Sequence, residues 1–220
     1  MVIGVLAALL LSFSRSAWLA TALVLPPLLC WLALRRRDLR RSLALAMGGA
    51  MLLLLAGAIL FAGQLSVRLN PSSTPTETRS INERGALIAV ALQTIADHPL
   101  VGVGAGNFPL VVEAVNAPAF PQPVHNVLLL LAAELGILGG ALWFWLWVAP
   151  AMALDERLRQ TDPWPVVLAG AWLALGIIAL WDDYPWGLEP GRLLGVSLLA
   201  ATSKALAAPS LETGAGTTQG

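Results

Sequence analysis

The sequence holds one cysteine, Cys30, inside an apolar run, so no intrachain disulfide can staple the fold. With only two histidines beside it, nothing resembles a Cys/His metal cluster, and no metal or other cofactor is expected. Charge is scarce too. Charged residues make up 12% of the chain, too few to clothe an ordinary soluble domain, and the formal net charge of +0 gives no reason to expect a nucleic-acid partner. What fills the chain is apolar: 57% hydrophobic residues, with several runs approaching the ~20 residues that cross a bilayer. A mean hydropathy of +0.75 fits that composition. The expected class is an all-α polytopic membrane protein embedded in membrane lipids.

The basic residues are clustered. Arg35, Arg36, Arg37, Arg40 and Arg41 fall within seven residues, between two apolar runs. Because basic loops stay cytoplasmic, this cluster sets the expected orientation. Residues 1–13 form a run of ~20 Å, short of the ~30 Å hydrocarbon core. It carries no charged leader and does not read as a cleavable signal peptide, so helices preceding it are expected. A break at Ser14-Arg15-Ser16 keeps Arg15 out of mid-membrane and puts it on the outer face. Runs at 17–34 and 43–62 follow. Residues 63–124 are too polar and too rich in proline and glycine to span. They are expected as one external, periplasmic loop with short helices, entered by a linker over 69–78. Ser80-Ile-Asn-Glu83 has the pattern of a capping box, opening a helix that His98-Pro99 stops. Its apolar stripe, Leu87, Ile88, Ala91 and Ile95, also carries Arg84.

Gly102-Val-Gly104-Ala-Gly106 is read as a tight turn rather than a nucleotide loop, since no strand–helix–strand unit accompanies it. Asn107 is expected to cap a short helix after it. A helix starting at His125 and running to Trp147 is expected to span, with Ala132, Gly136 and Gly140 as a small-residue packing face and Trp143, Trp145 and Trp147 as an inner aromatic belt. A charged turn at 155–162, a span at 164–181, an external loop Asp182-Asp183-Tyr184-Pro185-Trp186, a weaker span to 208 and a disordered cytoplasmic tail at 209–220 complete about five spans, the first partial. The expected divisions are therefore 1–62, 63–124, 125–208 and 209–220.

That topology gathers Arg15, Arg84, His125 and the Asp182-Asp183 loop on one face. Arginine forks onto phosphate oxygens, so Arg15 and Arg84 suit a diphosphate clamp. Histidine at a helix mouth suits a general base. Asn126, Asp182 and Asp183 are candidates for acceptor contact or positioning. Glu134 lies about 900° of helical rotation from His125 and ~13 Å deeper, so the two form no dyad and Glu134 reads as a packing group. Together these residues point to group transfer from a lipid-linked diphosphate onto a hydroxyl.

Ser14-Arg15-Ser16-Ala17-Trp18-Leu19, Arg84 followed by the segment from Ile95 to Phe108, His125-Asn126 with Glu134-Leu-Gly136 and Gly139, and Asp182-Asp183-Tyr184-Pro185-Trp186 together resemble the O-antigen ligase and O-antigen polymerase superfamily, in its C-terminal half. The resemblance implies a metal-independent inner-membrane glycosyltransferase of C-type helical fold, acting in cell-surface polysaccharide and lipopolysaccharide assembly. Its donor would be an undecaprenyl-diphosphate-linked glycan, and its acceptor a hydroxyl on glycan, lipid or protein. Arg15 and Arg84 would bind the diphosphate and His125 would activate the acceptor. Two other readings stand beside it: a transporter or exporter subunit with a polar path, and an inactive piece lacking the enzyme's other half.

Overall fold

The computed structural model describes residues 4, 8–9, 11–69, 75–117, 119–158 and 162–207. It is all-helical, and no strand occurs among those residues. The expected tail at 209–220, and most of the first run, lie outside them.

The first complete span, α1 (Arg15–Arg35), starts where the sequence demanded a break. Phe13 takes a positive φ of 48°, and Ser14 caps the helix by accepting the Ala17 N–H. A single 3₁₀ turn, Arg37–Leu39, reverses the chain, with Arg36 forked onto Asp38 at 3.1 and 3.0 Å. Helix α2 (Arg40–Leu60) returns to the starting end, where Phe61 meets Phe13 edge-on, and runs on into α3 (Ala62–Leu69). It leaves Leu45, Met51, Leu52 and Ile59 exposed, as a lipid-facing helix does.

Helix α4 spans Pro75–Asp97. It ends where His98-Pro99 was expected to stop it but begins before the proposed capping box. Ser80 to Glu83 lie inside the helix, and Glu83 bonds Arg79 one turn back at 2.7 Å rather than reaching a helix end. Of the expected linker, residues 70–74 lie outside the described part, and the rest of it from Pro75 is helical. A short α5 (Phe108–Ala114) follows.

The long helix α6 (Val127–Met152) is not continuous. Gly136 has φ 78° and ψ 175°, which no helix accommodates, so the run is two helices joined at a kink. The turn at 99–104 is plugged into that gap. Val103 N–H donates to the Ala133 carbonyl at 3.0 Å, Gly104 N–H to Glu134 at 2.8 Å, and Ile137 N–H to Pro99 at 2.8 Å. The groups freed by the kink are thus satisfied by the external segment, as a low-dielectric setting requires. Gly136 is therefore not part of a helix-packing stripe; a Cβ there would strike the Leu100 carbonyl.

After α7 (Leu154–Arg157), helix α8 (Trp164–Ala179) climbs back, α9 (Tyr184–Gly187) forms the turn, and α10 (Glu189–Ala207) descends. Helix α8 is the centre of the bundle: it packs against α1, α6 and α10. Among the described residues, three helices are long and apolar enough to cross a bilayer, Arg15–Arg35, the run Arg37–Leu60 and Val127–Met152; α8 is apolar but 16 residues long. The protein is a polytopic membrane protein, with these three candidate spans and shorter apolar helices among the described residues; most of the partial first span expected lies outside them. At the end opposite Ser14, Trp31 donates to the Leu158 carbonyl at 3.3 Å, closing the bundle beside the arginine-rich turn.

Candidate functional site

Two neighbouring cavities open at the end of the bundle where α1, α4, α6 and α8 converge. The first, about 490 Å³, is lined by Ser14, Arg15, Ser16, Arg84, Trp181 and Asp182 among others. The second, about 430 Å³, is lined by Arg84, Ile88, His125, Asn126, Leu180 and Trp181. Arg84 and Trp181 belong to both. The separate sequence segments carrying Arg15, Arg84, His125 and Asp182 thus meet around one divided recess.

Arg84 is held there by the face below it. Leu87, Ala91 and Thr94 are buried one, two and three turns further along α4, Leu87 and Ala91 against Phe108, Val112, Val124 and Leu130. Ile88, which the sequence places in the same stripe, is instead 41% exposed and lines the second cavity. The stripe is rotated because α4 packs on the outer half of α6 through Leu87 and Ala91. The Arg84 Nε is buried and has no hydrogen-bond partner among the described residues.

His125 is not in the first turn of α6. Asn126 is the cap: its Oδ1 accepts the Leu129 N–H at 2.9 Å, and its Nδ2 donates to the Leu180 carbonyl at 3.0 Å, tying the start of α6 to the end of α8. His125 stands one residue outside, held by Asp183 at 2.8 Å between Nδ1 and Oδ1. Both side chains are largely shielded, 26% and 16% exposed. A carboxylate only accepts, so the ring donates through Nδ1 in this contact, and Nε2 is the nitrogen it leaves unengaged. Asp183 reaches this position because its carboxylate lies over Gly187, where a Cβ would collide with it. Asp182 Oδ1 accepts the Tyr184 N–H at 3.0 Å and starts the short turn of α9.

The sequence offers Asp183 as a candidate for acceptor contact or positioning but does not pair it with His125; 58 positions separate the two. His125, Asp182 and Asp183 each offer one ligand atom, all within 4.8 Å of one another, so geometry alone would let them hold a cation.

Glu134 stays apart from this recess. It is 4% exposed, and its Oε1 accepts the Phe108 N–H at 3.4 Å, at the start of α5. That is the capping role expected of Asn107, whose side chain turns back to the Val103 carbonyl at 2.9 Å. The three glycines of the preceding turn all take positive φ, 64°, 97° and 77°, in keeping with a tight turn.

Comparison with known proteins gives one family. A profile described as O-antigen ligase matches residues 1–144 of the 220, covering Arg15, Arg84, His125 and Asn126. No curated protein and no solved structure matches. Residues 1–144 make up more than half of the chain, and the protein belongs to the O-antigen ligase family.

Proposed function

We propose that this protein transfers a glycan from an undecaprenyl-diphosphate carrier to an acceptor hydroxyl, without a metal, at the outer face of a bacterial inner membrane. Arg15 and Arg84 hold the diphosphate. His125 Nε2 takes the acceptor proton as that oxygen attacks the anomeric carbon; the bond from that carbon to the diphosphate breaks, and the diphosphate leaves on the two arginines. Asp183 positions His125, while Asn126 and Asp182 shape the acceptor side. The arginine-rich turn is cytoplasmic in this reading, residues 63–124 are periplasmic, and 1–62 and 125–208 carry the spans.

One observation carries it: Arg84 forms the shared wall of two cavities, one with Arg15 and one with His125, and its buried Nε lacks a partner among the described residues. An unsatisfied buried donor costs roughly 1–3 kcal/mol, and a polyvalent anion on the same guanidinium offsets that. The decisive test is transfer of a lipid-diphosphate-linked glycan by the purified chain in proteoliposomes. His125→Ala should lower turnover ~10²–10⁴-fold, the range of a lost general base. Arg84→Ala should lose turnover with insertion unchanged. Unaltered transfer in both variants would rule the assignment out.

A further inference from the structure

A third concavity, about 330 Å³, lies between α6, α8 and α10 and shares no lining residue with the two arginine cavities. Its volume falls in the ~300–1,000 Å³ range of small-ligand sites. Trp143 and Trp147 from α6, Trp172 and Leu175 from α8, and Trp186 from α9 build its walls. Arg192 is the one ionisable group among the lining residues. The slot exists because two glycines line it. The Trp147 indole lies where a Cβ of Gly176 would stand, and Gly195 adds no side chain opposite Leu175.

Its placement separates it from the diphosphate recess. Along α8, Trp172 stands about 200° from Gly170, which packs on Val24 and Leu28 of α1, the helix that carries Arg15. Trp181, just past the end of α8, lines both arginine cavities. The slot is on the other side of the helix. Along the bundle, Gly176 stands three residues inside the end of α8 at Ala179, and Arg192 three residues inside the start of α10 at Glu189. Arg192 is thus a cation ~5 Å below the rim, at the mouth of a shaft that continues past Val196 to Leu199. A guanidinium over an apolar shaft matches an amphiphile: a phosphate on the fork and a hydrocarbon chain below it.

We propose that this slot binds one acyl chain of an anionic glycerophospholipid, its phosphate on Arg192, at a site distinct from the recess that holds the diphosphate. The observations favour a second lipid over the carrier because no lining residue is shared and the intervening helix α8 presents opposite faces to the two sites.

The test uses the full chain in phosphatidylcholine nanodiscs, doped with phosphatidylglycerol bearing a photoreactive acyl chain, and reads labelled peptides by mass spectrometry. Saturable labelling of the segments around Trp143–Trp147 and Arg192–Leu199 is expected. Arg192→Gln, a substitution at an exposed position, should weaken it about tenfold, as loss of a charge-assisted hydrogen bond would. Gly195→Phe, which fills the shaft, should abolish it with helix content unchanged by circular dichroism, and His125→Ala should leave it intact. Equal labelling by a photoreactive phosphatidylcholine would reduce the slot to ordinary lipid contact and overturn the proposal. So would displacement of the probe by a polyprenyl phosphate, which would make it the carrier's seat, or labelling indifferent to Arg192.

Discussion

At the residue scale, His125 Nδ1 and Asp183 Oδ1 stand 2.8 Å apart, and under the proposed function that contact makes Asp183 the group that positions His125. Asparagine at 183 keeps the shape but can offer its amide N–H to Nδ1, favouring the wrong ring tautomer. Asp183→Asn is therefore expected to lower kcat by ~10²-fold or more with little change in donor KM, read from initial rates at varied donor concentration. Arg84→Lys tests a different property. It keeps the charge and loses the fork, so donor binding should weaken by about one hydrogen bond to a charged group, ~1.5–3 kcal/mol, while Asp183→Asn leaves that quantity alone. Both candidate arginines were legible from sequence because a charge beside apolar runs needs a reason. Asp183 was a candidate as well, but its pairing with His125 was not legible, since a carboxylate in a polar loop needs no particular partner.

At the element scale, the kink in α6 and the turn at 99–104 form one unit. A Cβ at Gly102 would strike the Glu134 carbonyl, and its φ of 64° is already unfavourable for other residues. Gly102→Ala should thus cost ~2–4 kcal/mol from strain plus overpacking, seen as a lowered melting temperature in detergent. Gly106→Ala shares the positive φ but meets nothing within 4 Å, so it should cost only the conformational part, ~1–2 kcal/mol. Glu134 gives a second contrast. Glu134→Gln keeps an acceptor for the Phe108 N–H, whereas Glu134→Leu leaves that donor unpaired at ~1–3 kcal/mol. The tight turn and Glu134 as a packing group were visible along the chain, but the kink at Gly136 and the cap on α5 were not. Glycine in an apolar run reads as close helix packing, and only the incoming turn, 34 positions upstream between Gly102 and Gly136, reveals a break instead.

At the scale of the whole molecule, helix order folds separate motifs onto one end of the bundle and the arginine-rich turn onto the other. In a Cys30→Ser background the chain has no other cysteine, so single cysteines report sidedness directly. Cysteine placed at Arg37 and at Asp182 should react with a membrane-impermeant maleimide from opposite sides of intact vesicles. Labelling of both from one side would contradict the proposed orientation.

The sequence by itself determined the helical class, the break at Ser14, the turn at the arginine cluster and the end of α4 at His98-Pro99. Each follows from local rules: the apolar length a bilayer demands, the cost of a buried charge, and the backbone limits of proline. It also placed Arg15, Arg84 and His125 on one face, because alternating spans leave few other arrangements. Only the tertiary structure decided which carboxylate holds His125, which group caps α5, and that the longest apolar helix is interrupted. Those outcomes depend on which backbone donors and acceptors are left open once distant segments pack. A hydrogen bond across dozens of residues leaves no periodic trace in the chain that makes it.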